Sequence, residues 1–427
     1  MKKIHTLLLA GVVAASALGG CATRKADAND NEMVRVADGE FMIGDSAYRF
    51  VGVNMWYGAI LGSEGRGGDR QRLERELDSL EAIGVNNLRI LVGGDGEEGI
   101  PSHISPVLQT GPGQYNDTLL RGLDYLLTRL EAHNMKAVLY LNNAWEWSGG
   151  YGAYLEWAGA GKAPVPVVDG WDKYQAYVAQ FVHNDSAKQL AYNHIRNIVG
   201  RTNSITGKPY KDSPAIMTWE IANEPRAFGE DSLSKARLED YILTSARIIK
   251  EIDPNHLVST GSEGLHGCER DLDLWARIHQ APEIDYAILH LWPYNWQWVD
   301  SGTTVSGVDS AWMKSKEYIE KHIDAFKGKP IVLEEFGYPR DFMSYAPGSP
   351  TVGRDKFFEY VLDMIFKDGK INGCNIWGWG GTAVPRHDTW QTGDPYTGDP
   401  AQEPQGLNSV FTADRSTIDI IKRYSGR

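Results

Sequence analysis

Cysteine is scarce in this chain, with three residues in 427. That is too few for a dense disulfide scaffold, and no Cys/His cluster has zinc-ligand spacing, so no metal is expected. Cys268 lies in a loop after a strand-like run and Cys374 opens another, so both are expected as free thiols. Positive charge is also short: 43 Lys and Arg face 56 Asp and Glu, for a net charge of −13. Such a balance argues against nucleic acid and anionic membrane surfaces as partners and is compatible with a neutral ligand. No internal repeat, heptad pattern or low-complexity segment is present, which sets aside solenoids and coiled coils. The apolar run at the N-terminus, residues 7–17, is too short to span a bilayer.

That run nevertheless has a meaning. Lys2 and Lys3 precede it and Leu18-Gly19-Gly20-Cys21 closes it, the layout of an export signal. The closing tetrapeptide resembles a bacterial lipobox. Residues 1–20 are therefore expected as a signal peptide, Cys21 as the lipidated first residue of the mature protein, and residues 21–32 as a polar tether. The protein would be exported and anchored by lipid to a bacterial membrane, facing the periplasm or the cell surface, with no other membrane contact. Residues 33–427 remain for a single domain.

In that domain, strand-like and helical patterns alternate, which is the signature of a parallel sheet. Eight strands are predicted at 50–55, 87–91, 137–141, 216–221, 257–260, 286–289, 331–335 and 374–377. Amphipathic helices are predicted at 69–83, 117–133, 171–199, 232–252 and 416–424; Leu73, Leu77 and Leu80 keep helical spacing in the first. The fold class is α/β, a single (β/α)8 TIM barrel. Turn signals at Asp38-Gly39 and Gly44-Asp45 add a short N-terminal hairpin that would plug the barrel bottom. Long loops follow strand three (142–169) and strand eight (378–406), and on this fold both overhang the active face. Fourteen Trp exceed what packing needs, and many cluster: Trp145, Trp147 and Trp157; Trp292, Trp296 and Trp298; Trp377, Trp379 and Trp390. Set among Gly and Asn, such clusters suggest flat platforms for sugar rings.

Two predicted strands end in acids. One is Trp219-Glu220-Ile221-Ala222-Asn223-Glu224-Pro225-Arg226; the other is Ile331-Val332-Leu333-Glu334-Glu335-Phe336-Gly337. In a parallel barrel the C-terminal strand ends converge on one face, where catalytic groups gather. Two carboxylates meeting there suit glycoside hydrolysis, in which one protonates the leaving oxygen and the other attacks or activates water. The plainer alternative is a pair of structural acids salt-bridged to arginines. Strand alternation would send Glu334 and Glu335 to opposite faces, so only one would enter the site. Arg89, inside the apolar run 87–91, must pair with something, and the attacking carboxylate is its natural partner.

Asn223-Glu224-Pro225 and Glu335-Phe336-Gly337 resemble the acid/base and nucleophile motifs of glycoside hydrolase family 5. The longer Ala-Asn-Glu-Pro-Arg form and His290-Leu291-Trp292-Pro293-Tyr294 resemble its mannan-degrading subfamily. The resemblance implies Glu224 as general acid/base and Glu335 as nucleophile of a retaining enzyme that needs no cofactor. It places Arg89, Asn223 and His290 around them, Asn223 on the sugar 2-OH, and Trp377 beneath the sugar. Trp145 and Arg226 match positions that bind mannan, and Glu263, in Gly261-Ser262-Glu263-Gly264, is a further candidate for that role. One departure stands out: where many members have His-x-Tyr after strand six, this chain has Trp292, which offers one N–H but no phenol. The substrate implied is β-mannan or manno-oligosaccharide, cut by endo-1,4-β-mannosidase action as the default. The strand-eight loop resembles that of exo-acting β-mannosidases; Trp390, Asp388, Asp394, Asp399 and Glu403 on it would then bond a chain-end sugar. The alternatives are a related β-1,4-glucan hydrolase and a non-catalytic glycan-binding lipoprotein. Oligomeric state is not readable from the sequence.

Overall fold

The computed structural model describes residues 32–426. The signal peptide, Cys21 and nearly all of the tether lie outside the described residues. Eight parallel strands form one sheet: β1 Phe50–Asn54, β2 Asn87–Leu91, β3 Lys136–Tyr140, β4 Ile216–Glu220, β5 Leu257–Ser259, β6 Ala287–Leu291, β7 Ile331–Phe336 and β8 Gly373–Ile376. Their ladder runs β5-β4-β3-β2-β1-β8-β7-β6. The β5/β6 seam is closed by single bonds, Asp285 N to Val258 O at 2.9 Å and His290 N to Glu263 O at 3.3 Å. The result is the expected (β/α)8 barrel.

A helix follows each strand: α1 Arg70–Ala82, α2 Asp117–Ala132, α3 Asp185–Val199, α4 Ser232–Ile252, α5 Leu272–Gln280, α6 Val308–Ala325, α7 Val352–Phe366 and α8 Arg415–Ser425. Acidic or amide side chains start several of them by accepting from free backbone N–H groups: Asp69, Asn116, Asn184, Asp231 and Asp271. Leu73, Leu77 and Leu80 bury the inner stripe of α1. Among the described residues, no helix is long and apolar enough to cross a membrane.

Three expectations need correction. The helix predicted at 171–199 is broken into Trp171–Val178, a 3-10 turn Phe181–His183, and α3. Asn184 is extended there and caps α3 by accepting from Ala187 N, so the chain restarts rather than continues. The strand-three loop, expected only as a long loop, carries the turn Glu146–Ser148 and helices Gly150–Trp157 and Pro166–Asp169. The N-terminal hairpin is a three-stranded sheet, Val34–Ala37, Glu40–Ile43 and Ser46–Ala47. It does plug the bottom: Val34 and Phe41 pack with Phe50, Val138, Met217, Tyr286, Ile288 and Val332 in one apolar cluster. Cys268 and Cys374 are buried and free.

The strand-eight loop is tied down. Trp379–Gly381 pairs with Val410–Phe411, and between them Asp399 accepts from the N–H groups of Gly406 (2.8 Å) and Asn408 (2.7 Å). Buried Arg354 donates to Ser409 O at 2.9 Å, and Arg340 to Gly406 O at 3.0 Å.

Candidate active site

The open end of the barrel holds a cleft of about 410 Å³. Its lining includes Glu224 and Glu335, with Trp145, Trp147, Trp171, Trp292, Trp296 and Trp377 around them. Glu224 follows β4 with φ at +49°, a left-handed conformation that costs a non-glycine residue. Pro225 already disfavours the helical alternative, and Glu224 N donates to Gly261 O at 2.9 Å, which fixes the turn.

Beneath the cleft, Arg89 spends all five of its N–H groups. Nε donates to Glu220 at 3.1 Å, and one terminal nitrogen reaches Asn54 at 3.1 Å and Glu335. The other reaches Glu220 and Asn223 Oδ1 at 3.0 Å. Its guanidinium also lies 4.3 Å over the Tyr140 ring. Arg89 thus meets Glu335 as expected, but its main partner is Glu220, an acid the sequence reading passed over. Arg89 and His290 are fully buried and do not line the cleft, so they hold the acids from behind rather than touching a ligand.

Glu334 and Glu335 do not take opposite faces. Leu289 pairs with Leu333 and His290 with Glu335, which leaves Glu334 unmatched in a bulge. A bulge lets two consecutive residues face one side. Both acids therefore turn toward Arg89, with Glu334 at 3.7 Å from its Nε and Glu335 in direct contact. Only Glu335 reaches the cleft. Burial, reinforced by the Glu220 charge, pushes Glu334 far above the usual carboxyl range, so it is held neutral.

The two cleft acids share one imidazole. His290 Nδ1 is 2.8 Å from Glu224 and 3.2 Å from Glu335. Burial lowers His290 to about 3, so it is neutral, and its Nδ1–H donates to the carboxyls. Carboxylate and imidazole atoms of these three residues lie within 4.8 Å of one another. That is a set of metal-ligand types, but the carboxyls already accept from Arg89, Trp145 and Trp292. Burial raises both Glu224 and Glu335; the Arg89 charge opposes the rise at Glu335 and the Arg226 charge at Glu224. The direct guanidinium contact favours the anion on Glu335, while burial favours the acid form of Glu224.

Trp292 Nε1 donates to Glu335 at 3.3 Å, so an indole occupies the place where a phenol was missing. Trp145 Nε1 donates to Glu224, and Arg226, 5.2 Å over the Trp145 ring, pairs with Glu263. Trp377 lines the cleft against Trp292 and Trp147, at 6.0 and 6.5 Å between ring centres. Asn223 Nδ2 bonds Asn143 at 3.1 Å. From the strand-eight loop only Gln402, Glu403 and Pro404 reach the cleft. Asp399 is spent on loop backbone, Asp394 bonds His387 at 2.8 Å, and Trp390 stacks on Tyr396. Residues missed by sequence reasoning include Glu146, Trp171, Gln175 and Gln402. Glu220 at least had a signal, since it shares the inward parity of Thr218 on β4; the others had none.

Gln402 Oε1 is buried against this cleft without a partner, and Glu403 lies beside Trp377 and Asn408. Burial pushes Glu146 up to about 7 and, with the Asp399 carboxylate nearby, Glu403 up to about 8. An opposed pair of acids among aromatic rings and buried polar groups is a site built for a polyhydroxylated ring.

Known proteins agree. A glycoside hydrolase family 5 mannosidase from Rhizomucor miehei superposes with a TM-score of 0.84 at 32% identity, covering 93% of this chain and 97% of that one. Mannan endo-1,4-β-mannosidase 1 of Arabidopsis thaliana is 29% identical over 350 residues, 78% of this chain and 77% of the relative. An endo-β-1,4-mannanase from Thermotoga petrophila shares the fold at 22% identity and a TM-score of 0.63, covering 90% of this chain and 77% of its own. The model of the β-mannosidase-like members of glycoside hydrolase family 5 matches residues 31–427, and the chain belongs to that family as a glycoside hydrolase.

Proposed function

We propose that this enzyme hydrolyses β-1,4-mannosidic bonds in mannan and manno-oligosaccharides by a retaining double displacement. The observation that carries the reading is the opposition of Glu224 and Glu335, whose facing atoms lie within 4.8 Å. Retaining enzymes hold their carboxyls about 5–5.5 Å apart, whereas inverting ones need roughly 6.5–9.5 Å for an intervening water. Glu335, kept anionic by Arg89, attacks the anomeric carbon while Glu224 protonates the leaving oxygen. Water, deprotonated by Glu224, then releases the sugar from Glu335. Asn223 and Trp377 bind the sugar at the cleavage point, and Trp145, Arg226 and Glu263 bind beyond it. The substrate class is supported by the mannosidase and mannan endo-1,4-β-mannosidase relatives, and a variant of the Rhizomucor mannosidase binds mannosyl-fructose.

Chain-end action is favoured over the endo default by one feature. Gln402, Glu403 and Pro404 wall the cleft beside Trp377, and the oxygen of Gln402 is buried there without a partner. Assays of mannan, manno-oligosaccharides and β-glucan side by side test both readings. Mannose alone from the first minutes supports the wall; mixed oligosaccharides with falling viscosity support endo action. Preference for β-glucan would overturn the mannan assignment, and binding without turnover would leave a glycan-capture protein. Export and lipid anchoring at Cys21 are proposed from the N-terminal sequence, and release of Cys21→Ser to the soluble fraction tests them.

A further inference from the structure

We infer that Trp171 and Gln175 form a separate subsite on the leaving-group side, which binds the sugar beyond the one attached to the scissile oxygen. The inference rests on the proposed mannosidase reading and extends it. The cleft is asymmetric about its two acids. Trp292 bonds Glu335 and Trp377 packs against Trp292, so the anomeric carbon and its sugar lie on that side. On the Glu224 side stands Trp145, whose indole bonds that acid, and Trp171 packs edge-on against Trp145 at 5.9 Å and 82°. Glu224 protonates the leaving oxygen, so the departing chain runs across Trp145 toward Trp171.

Trp171 is an anomaly in the fold. It opens the helix Trp171–Val178 yet is 46% exposed, and Val167 and Val168 just before it are 62% and 69% exposed. An exposed indole at the mouth of a cleft, continuous with the rings that line it, leaves a free apolar face. Near-perpendicular contacts with Trp145 and Tyr174, at 5.9 and 6.1 Å, hold the ring in place. Gln175 lies one helical turn further on, on the same face, and also lines the cleft. An aromatic plane with an adjacent amide suits the C–H face of a pyranose and its rim of hydroxyls. The helix lies within the β3-to-α3 connection, seated on the core by Tyr174 and Val178, with Trp171 on its exposed start.

A mannobiose fills only the two sites that flank the broken bond, whereas mannotetraose reaches Trp171. In Trp171→Ala, kcat/KM on mannotetraose should fall about tenfold, the scale of one aromatic contact, chiefly through KM. On mannobiose it should stay within about twofold of the parent. Trp171→Tyr should restore most of the loss. Binding of mannotetraose to Glu335→Ala, with and without Trp171→Ala, gives the same comparison free of turnover. Equal losses on the two sugars, or none on mannotetraose, would overturn the subsite. A parent enzyme inactive on both sugars would instead overturn the mannosidase reading from which the subsite follows.

Discussion

The two ends of this barrel are made by the same strands and do opposite things. At the bottom, Val138 on β3, Ile288 on β6 and Val332 on β7 point inward and meet the hairpin residue Phe41. Two residues further along the same strands stand Tyr140, His290 and Glu334, all facing the Arg89 cluster. A step of two residues, about 7 Å, keeps the face and changes the chemistry. The lower layer is apolar and closed by a plug. The upper one gathers Glu220, Glu334 and Glu335 around a single guanidinium, an arrangement no stability argument would choose. Stability and reactivity are thus separated along the barrel axis.

The sharpest break of that separation removes the acids. Glu335→Ala and Glu224→Ala should each fold and lose activity by on the order of 10⁴-fold. With an activated mannoside, azide should rescue both, giving an α-mannosyl azide with Glu335→Ala and the β-product with Glu224→Ala; NMR of the products reads the difference. Loss in Glu334→Gln with full activity in Glu335→Ala would reverse the assignment.

Arg89→Met should be next, because it removes the one cation the upper layer is built around. It leaves three buried carboxyls without their cation, at a cost of about 3–5 kcal/mol in urea unfolding as well as most of the activity. A variant with unchanged stability would mean that the upper layer relaxes by taking up protons.

Phe41→Ala attacks the bottom alone. It should lower unfolding free energy by about 3 kcal/mol while kcat/KM, measured well below the melting temperature, stays within about twofold. A large drop in kcat/KM would show that the plug positions the acids.

The smallest effect is a pH slope. Glu146 rises to about 7 through burial, so between about pH 4.5 and 7 the folded chain holds a proton that the unfolded chain has released. Stability therefore declines as pH rises through this window, by up to about 1.4 kcal/mol per unit. Glu146→Gln should flatten part of the decline when unfolding is compared at about pH 5 and about pH 8.

Much of the architecture was legible because periodicity is a local property. The eight strands, the helix at 232–252 and the plug followed from alternation, amphipathic spacing and turn residues. The fate of the long loops did not, since Trp390 and Asp399 turn inward through partners such as Tyr396 and Ser409 that only folding brings near. Glu334 shows the limit most clearly. Alternation is a rule for an unbroken strand, and the bulge that breaks it is set by pairing with β6.

By itself the sequence determined the barrel and marked two acids at strand ends, because strand and helix periods and chain-terminal motifs are carried by neighbouring residues. The tertiary structure alone decided that Glu220 would be the chief partner of Arg89, and that Trp292 would present an N–H to Glu335. It alone set Trp171 at the mouth of the cleft. Those are contacts between strands and loops far apart in the chain, and no local pattern encodes a distance between them.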